Sequence, residues 1–276
     1  MTSCHCLPQS LPQELQHYLD HVVRKTTELL PHKVVSIILH GSCAMGCFHP
    51  PKSDVDILVI VEDLRLKERG DLFCLFKELH AQRPYVGGLE VSAVRIDHAQ
   101  SPVHPMPFLV HWSEGVTATP SYLDSATLPF DEDLIAHFMV AKHRGFALYG
   151  ADPRCVIGDM AWCDYVSSVR ADIAWILQDR NILSTPFYAV LNLCRWLMMT
   201  SSKGMGVVSK EEAGEWGLHA LPGDHQEMIA QALHAYRSAH AVSVENRRSA
   251  GLDWDSSKLL AFKKYVEESN LWARKP

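Results

Sequence analysis

The sequence predicts an α+β protein in two parts: an amino-terminal domain on a small mixed sheet, residues 1–155, and an all-helical bundle, residues 156–276. Three observations carry this expectation. Short β-branched or apolar runs at residues 34–39, 54–63 and 88–96 alternate with helix-patterned segments in the first half only. From about residue 128 onward, apolar residues recur at helical spacing. Between the two textures lies GADPRCVIGD (150–159), rich in Gly, Pro and Asp as a domain boundary tends to be.

Taken in order, LPQELQHYLDHVVRKTTELL (11–30) spaces Leu11, Leu15, Leu19, Val22, Val23 and Leu30 as one face of an amphipathic helix. VVSIIL (34–39) reads as a buried strand, and HGSCAMG after it as a tight turn leading into a helix, since glycine permits backbone angles that other residues resist. DVDILVIVED (54–63) is a second strand, residues 64–83 a helix, and GLEVSAVRI (88–96) a third strand. The Pro- and Ser-rich stretch 97–127 fits either a loop across the front of a site or a divergent strand. Helices are expected in DEDLIAHFMVAKHRGFALYG, WCDYVSSVRADIAWILQ, PFYAVLNLCRWLMMTSS, SKEEAGEWGLHAL, HQEMIAQALHAYRSA and KLLAFKKYVEESNLW. Ser209 with Glu212 forms a capping-box pattern, and Pro222-Gly223 separates two of these helices.

Composition narrows the function. With 276 residues, 47% of them hydrophobic, the chain can fill a real core. Its net charge of -6, from 26 basic and 32 acidic residues, disfavours a polyanionic partner and steers a cationic small molecule weakly inward. No basic stripe interleaved with aromatics is present, which argues against a nucleic-acid polymerase and against nucleic acid as a partner. Eight cysteines and an opening MTSCHCLPQS without a basic or apolar leader pattern predict reduced thiols and a cytoplasmic location. Cys4-His5-Cys6 and Cys43-x-x-x-Cys47 are followed by no second pair at zinc-finger spacing, so a structural metal is not expected from them. No apolar run reaches the length of a membrane span, and a monomer is the expected state.

The informative cluster is acidic. Strand alternation puts Asp54 and Asp56 on one face of a buried strand, and burying uncompensated charge is costly. A divalent metal is the natural compensation: Mg²⁺ takes hard oxygen ligands and is commonly held by one or two carboxylates plus substrate phosphates. The Gly41-Ser42 turn offers backbone N–H groups and a hydroxyl to phosphate oxygens. Such a site suits attack on the α-phosphate of a nucleoside triphosphate, with a group nearby to take the acceptor's proton. Glu90, a lone acid at the start of the third strand, is the candidate base; pairing with Arg95 or a lysine is its alternative. Taken singly, each aspartate also fits a strand-edge ion pair or a turn cap.

HGSCAMGCFHPPKSDVDILVIVED, with Gly41-Ser42, Gly46, Pro50, Ser53-Asp54, Asp56 and Leu58-Val59 in register, resembles the polymerase-beta-like nucleotidyltransferases, and within them the aminoglycoside adenylyltransferases. VLNLCRWLMMTSSKGMGVVSKEEAGEWGLHALP followed by ALHAYR is similar to that family's helical carboxy-terminal domain. The resemblance implies ATP with Mg²⁺ in a cleft between domains, and transfer of AMP to a hydroxyl of a cationic, hydroxyl-rich antibiotic. It implies Asp54, Asp56 and Glu90 as metal ligands and reacting groups, Glu90 as the base, and Gly41, Ser42, Ser53, Arg195, Lys210 and Tyr236 as nucleotide-binding residues. Read on their own, Arg195 fits a helix-surface ion pair, and Tyr236 fits either interhelical packing or stacking on a purine. Lys210, in the first turn of a helix, is a cation where the helix dipole disfavours one, which a triphosphate would explain. Trp112, Trp175 and Asp179 are the implied acceptor contacts. In WILQDRNILSTPFYAVLNLCR the last acid of the family pattern is replaced by Thr185, which places spectinomycin ahead of streptomycin. An acceptor outside the antibiotics, and a catalytically silent nucleotide-binding regulator, are the competing expectations.

Overall fold

The computed structural model describes residues 11–116, 118–201, 206–240, 242–243 and 246–269. The Cys4-His5-Cys6 motif and the end of the last expected helix, from residue 270, lie outside the described residues.

The chain divides into two compact units: residues 11–48 with 53–168, and residues 49–52 with 169–269, over the described part. The first unit opens with helix α1 (Gln13–Leu29), which buries Leu15, Tyr18, Leu19 and Val22. Strand β1 (Val34–His40) runs into a one-turn helix α2 (Gly41–Ala44), then strand β2 (Val55–Val61), helix α3 (Leu66–Ala81) and strand β3 (Leu89–Arg95). The stretch 97–127 contains strands, the second of the two alternatives, namely the two-residue β4 (Met106–Pro107) and the edge strand β5 (Val110–Trp112), together with helix α4 (Ile96–Gln100) and a 3₁₀ turn at Ser121–Asp124 that neither alternative included. Strand β6 (Phe130–Asp131) pairs with β4 in a small separate sheet, helix α5 (Leu134–Arg144) follows, and strand β7 (Phe146–Gly150) closes the main sheet before helix α6 (Pro153–Val156).

The main sheet has the order β5-β3-β2-β1-β7. β2 and β3 are parallel, and every other neighbouring pair is antiparallel, so the sheet is mixed as expected. Odd-numbered residues Ile37, Leu39, Ile57, Val59, Val61, Val91 and Ala93 face a core that α1 and α3 complete. Period-two geometry puts the even-numbered residues on the opposite face, where α5 packs against β1.

One expectation needs correction. FALYG, read as the tail of a helix, is strand β7. The helix stops at Gly145, whose position leaves no room for a side chain: a Cβ there would stand 2.4 Å from the Ala141 carbonyl oxygen. Five residues after that stop are too few to display a helical period, and they complete an edge of the sheet instead.

Helix α7 (Trp162–Ile176) crosses from the first unit to the second, the division falling at Ser168. The second unit continues with α8 (Asp179–Ser184), α9 (Pro186–Ser201), α10 (Lys210–Ala220), α11 (Gly223–Arg237) and α12 (Ser256–Glu268). α9 is its axis, with Phe187, Val190, Leu191, Leu193, Trp196 and Leu197 buried, and α10 and α11 pack against it. The capping box at Ser209 and Glu212 is present, and Pro222 ends the connection into α11. Among the described residues no helix is long and apolar enough to cross a membrane.

Candidate active site

Strand pairing builds the acidic site. Asp56 stands opposite His40 on β1 and directly beside Glu90 on β3, so that His40, Asp56 and Glu90 form a row across three strands. All three are even-numbered and share the face away from the α1–α3 core. Asp54 lies just before β2, and its Oδ1 accepts a hydrogen bond from the Gly88 N–H at 2.6 Å. That bond ties the head of β2 to the head of β3.

The Gly41 turn closes on the same spot. Gly41 has φ of 62°, the left-handed region that glycine alone enters at no steric cost. A Cβ at this position would lie 1.8 Å from Asp56 Oδ2, so the backbone of the turn touches the carboxylate. Ser42 follows in α2 and Ser53 immediately precedes Asp54; Ser42 is half-buried, Ser53 buried. Beneath them Cys43 is buried, and burial, then the charge of Asp56, hold its thiol well above the ordinary range.

Two histidines absent from the expected site complete it. His137, on α5, places Nε2 3.8 Å from Glu90 Oε1 and 3.9 Å from Asp133 Oδ2. Burial pushes its pKa down, but Glu90, Asp133, Asp56 and Asp131 outweigh this and hold it at about 9. His40, almost fully buried, meets the His137 ring edge-on at 5.3 Å between centroids; burial and the neighbouring charge hold it well below the usual histidine range. The two imidazoles beside the acid row are thus shifted in opposite directions. Glu90 does not pair with Arg95, which binds Asp97 at 2.5 Å and Asp63 at 3.7 Å. Among the described residues no group of three or more His, Cys, Asp or Glu is arranged to hold a metal ion.

Trp112 is 6% exposed on β5, edge-on to Phe73 and tilted against His80. The structure makes it a core residue of the first unit, because β5 turns that side chain onto the α3 side of the sheet.

In the helical unit, Lys210 stands at the first position of α10, its Nζ 5.3 Å from the centre of the Tyr188 ring and 5.6 Å from that of Tyr236. Glu211 and Glu212 in the same turn suit the positive end of the helix dipole. Tyr236 is buried, with His49 edge-on at 4.7 Å and Lys210 Nζ over its ring at 5.6 Å. Arg195 projects from α9 and donates from Nη1 to Asn192 Oδ1 at 3.0 Å. Tyr188 donates to the Asp172 carboxylate at 3.2 Å and carries the Arg248 guanidinium over its ring at 4.6 Å. Trp175 is partly exposed on α7, and Asp179 is ion-paired to Lys263 at 2.5 Å.

A mixed sheet carrying two carboxylates at the head of one strand, a third beside them and a glycine turn against them defines a nucleotidyltransferase. A model of the nucleotidyltransferase domain matches residues 19–89, and a model of the aminoglycoside adenylyltransferase C-terminal domain matches residues 156–262. The chain belongs to the aminoglycoside adenylyltransferase family. It is similar to the spectinomycin 9-adenylyltransferases of Staphylococcus aureus strains Mu50 and N315, each 22% identical over 223 residues, covering 76% of this chain and 80% of theirs. Its fold is also that of the crystal structure of spectinomycin adenyltransferase AAD(9) from Enterococcus faecialis with ATP and spectinomycin. The TM-score is 0.70 at 18% identity, over 94% of this chain and 99% of that one.

Proposed function

We propose that this chain transfers AMP from ATP to a hydroxyl of an aminoglycoside or aminocyclitol, with spectinomycin the leading acceptor and Mg²⁺ the metal. The supporting observation is the lateral pairing of Asp56 with Glu90, with Asp54 at the head of the strand and Gly41 pressed on Asp56. The names of the relatives favour spectinomycin. Streptomycin ranks behind it because Asp179 is already matched by Lys263 and the position after α8 is the buried Thr185.

The donor set fits Mg²⁺. Asp54 and Asp56 are hard oxygen donors fixed by Gly88 and by the Gly41 turn, and such a pair together with phosphate oxygens is how this ion is commonly held. Bound there, Mg²⁺ would neutralise charge on the phosphates and orient the α-phosphate for in-line attack. The chain's own groups do the rest. N–H groups of the Gly41-Ser42 turn and the Ser42 hydroxyl receive phosphate oxygens, with Ser53 fixing the approach to Asp54. Lys210 and Arg195 supply positive charge to the triphosphate, and Tyr236 holds Lys210 in place. Glu90 accepts the proton of the attacking hydroxyl, which then forms the new P–O bond as pyrophosphate leaves with the electrons of the broken one.

The test is acceptor screening with α-labelled ATP and Mg²⁺. Label is expected in spectinomycin with stoichiometric release of pyrophosphate. Transfer to an unrelated molecule, with none to any aminoglycoside or aminocyclitol, would remove the acceptor assignment while leaving the nucleotidyl transfer chemistry in place.

A further inference from the structure

Asp56 and Glu90 sit side by side in register on parallel strands, an arrangement in which like charges repel. Something must also choose among the orientations open to the longer glutamate side chain. The charged groups that act on His137 are Glu90, Asp133 at the N-cap of α5, Asp56 and Asp131, and His40 packs against its ring. Among these described neighbours only a histidine can attract a carboxylate. His40 is buried against the His137 ring, whereas His137 Nε2 is turned toward Glu90 Oε1, 3.8 Å away.

We propose that His137 is the positioning residue for Glu90, its imidazole, with Nε2 3.8 Å from Oε1, drawing the carboxylate toward α5 while His40 packs edge-on against the ring. The inference rests on the reading of Glu90 as the proton acceptor. It divides the labour among the three acids. Glu90 is held by a side chain of the protein and aimed at the acceptor hydroxyl, while Asp54 and Asp56 serve the cation. The Asp133 carboxylate, at the N-cap of α5 one turn before His137, lies 3.9 Å from the same Nε2 and competes for it, so the imidazole is shared between a functional and a supporting acid.

The test compares His137→Ala, His137→Gln, Glu90→Gln and the double variant H137A/E90Q in steady-state AMP transfer. Calorimetric binding of Mg²⁺ with a non-hydrolysable ATP analogue and thermal denaturation are measured alongside. H137A is expected to lower kcat by about ten- to a hundred-fold, the scale of an ångström-size misplacement of a reacting group, with KM for ATP and binding of the analogue changed less than about two-fold. H137Q, which keeps an N–H donor, should recover most of the loss. On the E90Q background, H137A should add nothing to the defect, because the two residues act as one unit. A loss on E90Q equal to that on the wild type, or an H137A effect confined to KM, would overturn the proposal, as would full turnover in a folded H137A when E90Q is impaired. Wild-type turnover in E90Q would instead remove Glu90 as the base, and this inference with it.

Discussion

Gly41→Ala is the sharpest perturbation the structure offers. Two costs add at this position. A non-glycine residue in the left-handed region loses about 1–2 kcal/mol, and the new methyl group would stand 1.8 Å from Asp56 Oδ2, where a carbon–oxygen contact needs about 3.3 Å. The carboxylate or the turn must therefore give way by about 1.5 Å. A displacement of that size at a reacting centre costs on the order of a hundred-fold in rate. Gly46→Ala provides the control: its φ of 75° carries the same backbone strain, yet a Cβ there meets nothing within 4 Å. G46A should lose about 1–2 kcal/mol in urea denaturation and G41A more than that, but only G41A should lose kcat for pyrophosphate release, by about a hundred-fold or more. If G41A kept wild-type turnover, or if G46A lost as much, the contact between the turn and Asp56 would have no functional meaning.

Other outcomes follow from the same geometry. D54N and D56N should each abolish AMP transfer, yet leave stability unchanged or slightly raised, since neutralising one acid of a crowded row relieves repulsion; thermal melts and turnover read on the same samples check both halves. Chelation by EDTA should stop the wild-type reaction and excess Mg²⁺ restore it, and transfer at full rate in EDTA would exclude the metal role. Glu68, bonded by Arg65 and Lys33, has its carboxyl held at about 2. A depressed acid stabilises the fold above its unfolded value near 4.3 and loses that contribution as the pH falls toward 2, so E68Q should flatten the acid limb of the stability curve between those values. S209A removes the Oγ that accepts from the Glu212 N–H at 3.1 Å, and should cost about 1 kcal/mol in denaturation of the helical unit.

Much of the sheet was readable because its local and tertiary requirements agree. The run Ile57 to Val61 is apolar at every position, as a strand covered on both faces must be, and Asp54 and Asp56 stand out against it. Gly145 shows the opposite case. A single glycine, at a position with no room for a side chain, lets the chain leave α5 without any hydrophobic period announcing it, and β7 after it is too short to assert its own pattern. Trp112 shows a related limit: its strand is three residues long, so sequence left open whether it covers the core, and its ring packs on the core side of the sheet. For Tyr236 the helical spacing was visible, but the depth at which the ring would sit depends on α9 and His49, which pack against it from elsewhere in the chain.

The site was half-legible, and the missing half has a common cause. Glycine–serine turns and acid pairs are written over neighbouring residues, whereas the row His40, Asp56, Glu90 exists only once β1 lies antiparallel and β3 parallel to β2. His40 carried a usable signal: it directly precedes Gly41 at the end of a β-branched run, at the register where an antiparallel partner would face Asp56. His137 carried none, since an isolated histidine inside LIAHFMVAKHR reads as an ordinary helix residue until α5 is laid over the even-numbered face of the sheet. A row of acids is unfavourable to fold, and the fold supplies part of the compensation from a helix distant in sequence, through the imidazole 3.8 Å from Glu90. Charge balance therefore points to residues that motif spacing cannot: where a sheet gathers acids on one face, the next question is which covering element brings the nearest base.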